Sequence, residues 1–221
     1  HITVASLLNH DAFNMARISQ RTCKVCRRLG MSVCGRERCA LRRRATPPGQ
    51  HGTQMKRGGG GSSSGFGFQL QEKQKARHLY GLMERQFRNY VTRATAIKGD
   101  TGLLLKELLE RRLDNVVYRL GFAKTRAAAR QLVGHGQVTV NGKHLDIPSY
   151  HMKDGDIVQV KASKRDTKLF DTVRAELATR ETSSWLRLDP TTWSGTVLGK
   201  PNEEELKALF DPRPIIEFYS R

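Results

Sequence analysis

The sequence has no run of roughly 18 or more apolar residues, so nothing in it reads as a membrane-spanning helix. It is short of acid: 21 Asp and Glu stand against 39 Lys and Arg, a formal net charge of +18. Self-repulsion on that scale implies a polyanionic partner, nucleic acid first. A membrane surface is the rival, but no isolated amphipathic segment carries a basic face to anchor on lipid. Residues 1 to 14, HITVASLLNHDAFN, contain no Lys or Arg. They fit neither the charged start of a secretory signal nor an Arg-rich organelle presequence, and they stand as an unassigned tail. The first residue is not Met while Met15 begins MARISQR, so an upstream extension or a processed start is expected.

Cysteine is scarce too, and its placement is informative. All four residues, Cys23, Cys26, Cys34 and Cys39, fall in one Arg-rich stretch with the spacing C-x2-C-x7-C-x4-C. Thiol pairs separated by a short loop can place four sulfurs on the corners of a tetrahedron, which suits Zn²⁺. Neighbouring arginines favour the thiolate that a metal needs. Soft ligands also allow an iron–sulfur cluster, the lesser alternative, and free thiols remain open. Disulfides would need an oxidising compartment to which nothing here directs the chain. A redox C-x-x-C would want a βαβ context, and a closed four-thiolate site leaves no coordination position for catalysis.

With 221 residues there is room for one or two domains with a true core. Pro, Gly and Ser dominate 47–68, which reads as a flexible loop. Gly58 to Gly61 followed by Ser62 to Ser64 lack both the G-K-[ST] ending and the preceding strand of a phosphate-binding loop. From Gln69 to about Ile97, Leu79, Leu82, Met83, Phe87, Tyr90 and Val91 recur at helical spacing and predict one helix. Its other faces carry Lys73, Lys75, Arg77, Arg85, Arg88 and Arg93, which Glu72 and Glu84 do not balance. Phosphate contact is therefore favoured over a merely solvated face.

A second helix is predicted from an N-cap at Thr101 to Gly121, with Leu104, Leu105, Leu108, Leu109, Leu113, Val116, Val117 and Leu120 on its apolar positions. After it come a helix capped by Thr125 and ended by Gly134 or Gly136, a strand from Gln137 to Val140 and the hairpin dipeptide Asn141-Gly142. Asp154-Gly155 marks another turn, before DIVQV. Lys124, Arg126 and Arg130, beside Arg111 and Arg112, are expected to form one positive face that offers an anion site at the helix start. Farther on, LFDTVRAELATRE reads as a helix. Trp185 and Trp193 are expected to pack a core edge rather than stack on bases. The terminal RPIIEFYSR reads as a short strand.

Taken together, PPGQHG at 47–52, QLQEKQKAR at 69–77, LERRLDNVVYRLGFAKTRAAARQLVGHGQVTVNGK at 109–143, IPSYHMKDGD at 147–156 and the final EFYSR closely resemble bacterial-type small ribosomal subunit protein four. The resemblance implies a primary rRNA-binding assembly protein of the five-prime domain. It also implies a place where mRNA enters the small subunit, a contact with neighbouring protein five and an influence on decoding accuracy. It makes the four cysteines the zinc-bearing form of the family's N-terminal segment. Gln50 and His51 become an RNA-facing loop, although His51 equally suits a local turn hydrogen bond. Arg111, Arg112, Lys124, Arg126 and Arg130, with His135 and Lys143 near the hairpin, become the small RNA-binding module. Arg27, Arg28, Arg42, Arg43 and Arg44 around the thiols join the RNA-binding set. The chain departs from the family after GQHG, where only Lys56 and Arg57 keep the charge of a basic run.

Two rival functions come from other classes. RRLD at 111–114 superficially resembles the catalytic Arg-Leu-Asp of pseudouridine synthases, which carry the same module. On a periodic helix, however, Asp114 more simply pairs with an arginine. A zinc-dependent DNA-binding regulator is the other rival, but the cysteine segment lacks a finger helix. The expected fold is α+β: a mostly helical first domain with a four-cysteine metal knot, and an inserted helix-hairpin RNA-binding module. Residues 1–14 are tail, 15–46 the metal-binding segment, 47–68 loop, 69–110 the helical domain completed by 176–221, and 111–175 the module. The protein is expected to be no enzyme and no homo-oligomer. It should reside in a cytoplasmic ribosome, an organellar one remaining open.

Overall fold

The computed structural model describes residues 22–52, 65–177, 181–207 and 210–220. In chain order the elements are α1 (Thr22–Leu29), α2 (Ala40–Arg43), α3 (Gly65–Leu79), α4 (Glu84–Ala96), α5 (Thr101–Glu110), α6 (Leu113–Arg119), α7 (Arg126–Gly134), β1 (Val138–Val140), β2 (Lys143–His144), β3 (Ile157–Val160), α8 (Ala162–Arg165), α9 (Lys168–Leu177), β4 (Leu186–Asp189), β5 (Ser194–Val197), α10 (Glu203–Lys207) and α11 (Arg213–Tyr219). This is a mixed α+β fold of helices around one small antiparallel sheet. Among the described residues no helix is long and apolar enough to cross a membrane.

The single helix expected from Gln69 to Ile97 is two. Gly81 adopts φ +63°, open to glycine at little cost. Its N–H donates to His78 O at 3.2 Å, and the Leu82 N–H donates to Arg77 O at 2.9 Å. These are the two bonds of a Schellman stop, and the fully buried Leu82 is its apolar partner. At the other end α3 starts at Gly65, so the last residues of the expected loop are helical.

The next expected helix also breaks. Asp100, not Thr101, is its N-cap: the Asp100 carboxylate accepts from the Gly102 N–H at 2.7 Å and the Leu103 N–H at 3.2 Å. The helix then stops at Glu110, and Arg112 is extended. Leu113 N donates to Tyr150 O, and Met152 N donates to Arg111 O, both at 2.8 Å. A distant loop thus satisfies the backbone at the break, while the apolar stripe continues in phase across it.

The C-terminal RPIIEFY, expected as a strand, is helix α11, with Pro in its first turn and Pro214 and Ile215 buried. It packs mainly on α3, where Gln69 Nε2 donates to Glu217 Oε2 at 2.9 Å, and it reaches α4 through Tyr219 Oη, which donates to Glu84 Oε1 at 2.7 Å. With α4 and α5 these helices enclose Leu82, Phe87, Val91, Leu105, Leu109 and Ile215. Each such side chain stabilises the fold by about 1.5–3 kcal/mol relative to exposure.

The sheet runs β2-β1-β3-β5-β4, and every neighbouring pair is antiparallel. Asn141 and Gly142, at φ 50° and 76°, make the expected type I′ hairpin turn. β4 and β5 extend the sheet beyond β3 as far as Val197, past the expected boundary at 175, while α10 packs on α5 and α11 on α3. The hairpin 186–197 joins because Trp185, Leu186, Trp193 and Val197 complete the module's core. Trp193 stacks on Phe122 at 6.4 Å and meets Phe170 edge-on at 5.5 Å, so the tryptophans pack rather than await bases.

Candidate nucleic-acid interface

Where the helical part meets the module, five elements converge on two buried carboxylates. Glu110 accepts from Tyr80 Oη at 2.6 Å, Asn115 Nδ2 at 2.7 Å and Arg119 Nε at 2.9 Å, with Arg126 Nη2 at 3.8 Å. Burial alone would raise its pKa, but Arg119, Arg126 and the Tyr80 hydroxyl outweigh it and hold the carboxyl below its ordinary value. Asp114 takes both arms of Arg112, at 3.0 and 2.7 Å, a bidentate pair whose side chains are 1% and 6% exposed. Arg112 Nη1 donates to Tyr90 Oη at 2.7 Å. Arg130 reaches Asp114 at 3.6 Å and donates to Gly81 O at 3.2 Å, tying α7 to the α3–α4 turn. Arg126 donates to Asn115 Oδ1 at 2.7 Å and lies over the rings of Tyr118 and Tyr80.

The expected positive face of Arg111, Arg112, Lys124, Arg126 and Arg130 is therefore not an open one. Arg111 and Arg112 are buried, and Arg111 pairs with Glu107 at 3.3 Å and with Asp154. Arg126 and Arg130 face inward to the network, and only Lys124 is exposed, paired with Glu176 at 2.8 Å. The break at Arg112 and the seating of the α3–α4 turn against α7 change what these side chains face. On α3, Lys73 is buried, pairs with Glu84 at 2.7 Å and lies over the Phe218 ring at 4.3 Å. Lys75 pairs with Glu72, and Arg77 with Glu84 at 3.6 Å.

The open basic surface lies elsewhere. Arg28, Arg42, Arg43 and Arg44 beside the cysteines and Arg85 and Arg88 on α4 are exposed and make no ion pair among the described residues. Arg93 continues the α4 row opposite its buried face of Phe87, Val91 and Ala94. Arg27 is committed to structure, donating to Thr46 O at 2.8 Å and Pro47 O at 3.1 Å and so fixing the start of the next loop. Gln50, His51, His135 and Lys143 are exposed, whereas Lys56 and Arg57 lie outside the described residues. The sequence reading missed exposed Arg36 and Arg38 in GRERC, although their place between two cysteines was signal enough.

Three thiols, of Cys26, Cys34 and Cys39, lie within 4.8 Å of one another, and Cys26 and Cys39 are fully buried. Cys23, one turn earlier on α1, lies outside that group, so the structure brings together three of the four expected ligands. Burial raises the Cys26 thiol to about 12. For Cys39, hydrogen bonds from Ser32, the Leu41 backbone and neighbouring thiols outweigh burial and lower it.

A family model described as the ribosomal protein S4/S9 N-terminal domain matches residues 17–110, and one described as the S4 domain matches residues 111–158. The chain is similar to small ribosomal subunit protein uS4A of Symbiobacterium thermophilum, with 45% identity over 213 residues, 94% of this chain and all of the relative. It is likewise similar to uS4 of Roseiflexus sp., 46% identical over 209 residues, and of Thermodesulfovibrio yellowstonii, 44% identical over 213 residues. Both matches again cover 94% of this chain and all of the relative.

Proposed function

The chain belongs to the small ribosomal subunit protein uS4 family, and from that premise we propose that it is a structural, rRNA-binding component of the small ribosomal subunit. The observation that carries this reading is the similarity to uS4 proteins over 94% of the chain. The exposed arginines beside the cysteines and on α4 supply the chemistry, since unpaired guanidinium groups neutralise phosphates and release counterions. Folded RNA is then recognised through backbone and shape, its deep major groove being closed to side chains. Within this reading the protein binds the five-prime domain early in assembly, sits beside protein five where mRNA enters, and influences decoding accuracy.

Asp114 favours a structural role over a catalytic one, because both of its oxygens are taken by Arg112 and it is buried from any substrate. The test is sedimentation of the tagged full chain expressed in cells of its source. Stoichiometric migration with small subunits through high salt supports the reading, whereas protein left at the top of the gradient refutes it.

The donor set also fits structural zinc. A Zn–S bond of about 2.3 Å places two sulfurs about 3.8 Å apart in a tetrahedron, so three thiols within 4.8 Å need little closure. Cys26, Cys34 and Cys39 would hold the ion with Cys23 as fourth ligand, and the ion would supply cross-linking rather than reaction chemistry. Among the described residues the buried apolar cluster around them comprises Val25, Cys26, Leu29, Val33 and Cys39, with Met31, Cys34 and Leu41 packed against it, a small core for a segment to fold on by itself. Elemental analysis should find one zinc per chain. Cys23→Ser should lose it as readily as Cys26→Ser, and a metal-free, folded chain or bound iron would overturn this assignment.

A further inference from the structure

A recess of about 370 Å³ opens between the cysteine segment, the α3–α4 turn and α7. Its wall is formed by Val33, Leu79, Tyr80 and Ala127, with Arg36 and His135 among its lining residues. That volume falls within the range of roughly 300–1,000 Å³ found for small-ligand pockets. We propose that this recess receives one unstacked nucleotide of the bound RNA, its base against the apolar wall and its phosphate against Arg36. The inference deepens the rRNA-binding reading and rests on it.

Three observations converge. The recess combines an apolar interior with cationic residues, the composition expected for a base with a phosphate attached. Arg36 is exposed and makes no ion pair among the described residues, in contrast to Arg126 and Arg130, whose charges are spent on Glu110 and Asp114. His78 lines the same recess, its pKa lowered to about 4 by burial, with Arg77 and Arg28 adding to the shift. It is neutral near pH 7, and with Nε2 facing Arg77 Nη2 at 3.3 Å its Nδ1 is the ring nitrogen that can meet a base edge as a hydrogen-bonding group rather than as a charge. Sequence-specific RNA recognition favours such splayed-out bases over paired ones. The site needs three parts of the chain at once, since Val33 and Arg36 come from the loop between Cys26 and Cys39, Leu79 and Tyr80 from the end of α3, and Ala127 from α7.

The experiment compares full-length wild type, Ala127→Trp and Arg36→Ala on a transcript of the small-subunit rRNA five-prime domain, by affinity and by base-selective chemical probing. Ala127 is exposed on α7, so the tryptophan fills the recess without entering a core. The expected result is one unpaired nucleotide protected by wild type and reactive again with either variant, with the remaining footprint kept and affinity lowered roughly tenfold. Identical footprints and affinities for all three would overturn the proposal. So would a wild-type footprint without that nucleotide, joined to a lower melting temperature of free Ala127→Trp, which would put a segment of this chain in the recess. Should Ala127→Trp fail to fold, Arg36→Ala decides alone, because its side chain belongs to no core. A wild type with no preference for the transcript would instead defeat the rRNA-binding reading itself.

Discussion

Replacing Asp114 with alanine leaves the Arg112 guanidinium, 1% exposed, with the Tyr90 hydroxyl as its hydrogen-bond partner among the described residues. The pair gains little over a hydrophobic pair in the intact protein, because desolvation of two charges offsets their attraction. Breaking it is another matter: an orphaned buried charge costs about 3–5 kcal/mol. Arg130 also loses its carboxylate at 3.6 Å, but it is 15% exposed and can turn toward water. For a chain of this size about 2–4 °C of melting temperature is lost per kcal/mol. Asp114→Ala should therefore lower the midpoint by about 6–20 °C in calorimetry, with a parallel loss in urea. The double variant Arg112→Met, Asp114→Leu should recover most of the loss, since it removes both charges and refills the volume. A single variant within about 2 °C of wild type, or a double variant worse than the single, would refute the reasoning.

Glu110 and His78 contribute to the pH dependence, alongside His151, Glu84 and Asp189, whose pKa values are also lowered. Glu110 has a folded pKa below its ordinary 4.5, so its contribution is present above that value and lost as pH falls through the lower folded one. His78 stays neutral down to about 4 when folded but takes a proton near 6.5 when unfolded, so stability falls as pH drops between those values. Denaturation from pH 8 to 4 should show this slope, and His78→Gln should flatten it; an unchanged slope would remove His78 from the account. Gly195→Ala would place a Cβ 2.3 Å from Cδ2 of the fully buried Leu120, and should cost about 1–3 kcal/mol by overpacking. An unaltered urea midpoint would show that Leu120 can move aside. Arg85→Ala with Arg88→Ala should weaken RNA binding and reduce its salt slope by about one for each phosphate no longer neutralised, while leaving melting unchanged. An unaltered slope would take α4 off the interface.

Periodicity and turn chemistry made the module readable: Thr125 caps α7 by accepting from the Ala128 N–H at 3.2 Å, and Asn141-Gly142 turns the hairpin. Breaks inside long apolar stripes were not readable, because Leu82 and Leu113 keep the helical phase while a glycine stop and a distant loop interrupt the backbone. Nor could alternation tell the terminal strand from α11, whose seven residues are helical through packing on α3. A cluster of thiols was legible from spacing, and among the described residues three of the four are gathered. The interface was half legible. Charge identified a polyanion partner, but the arginines nearest the module are those consumed by Glu110 and Asp114, since their carboxylate partners are brought close only by the fold. Arginines outside that network, among them Arg28, Arg36, Arg38, Arg42 to Arg44, Arg85, Arg88 and Arg93, are the exposed ones.

The most direct test of the central claim is binding of the purified full chain to a transcript of the small-subunit rRNA five-prime domain, competed with an unrelated folded RNA of equal length and with duplex DNA. The account predicts a preference for the cognate transcript of at least about 10³-fold at physiological salt. Equal affinity for all three would contradict it, leaving a polycation without a cognate partner.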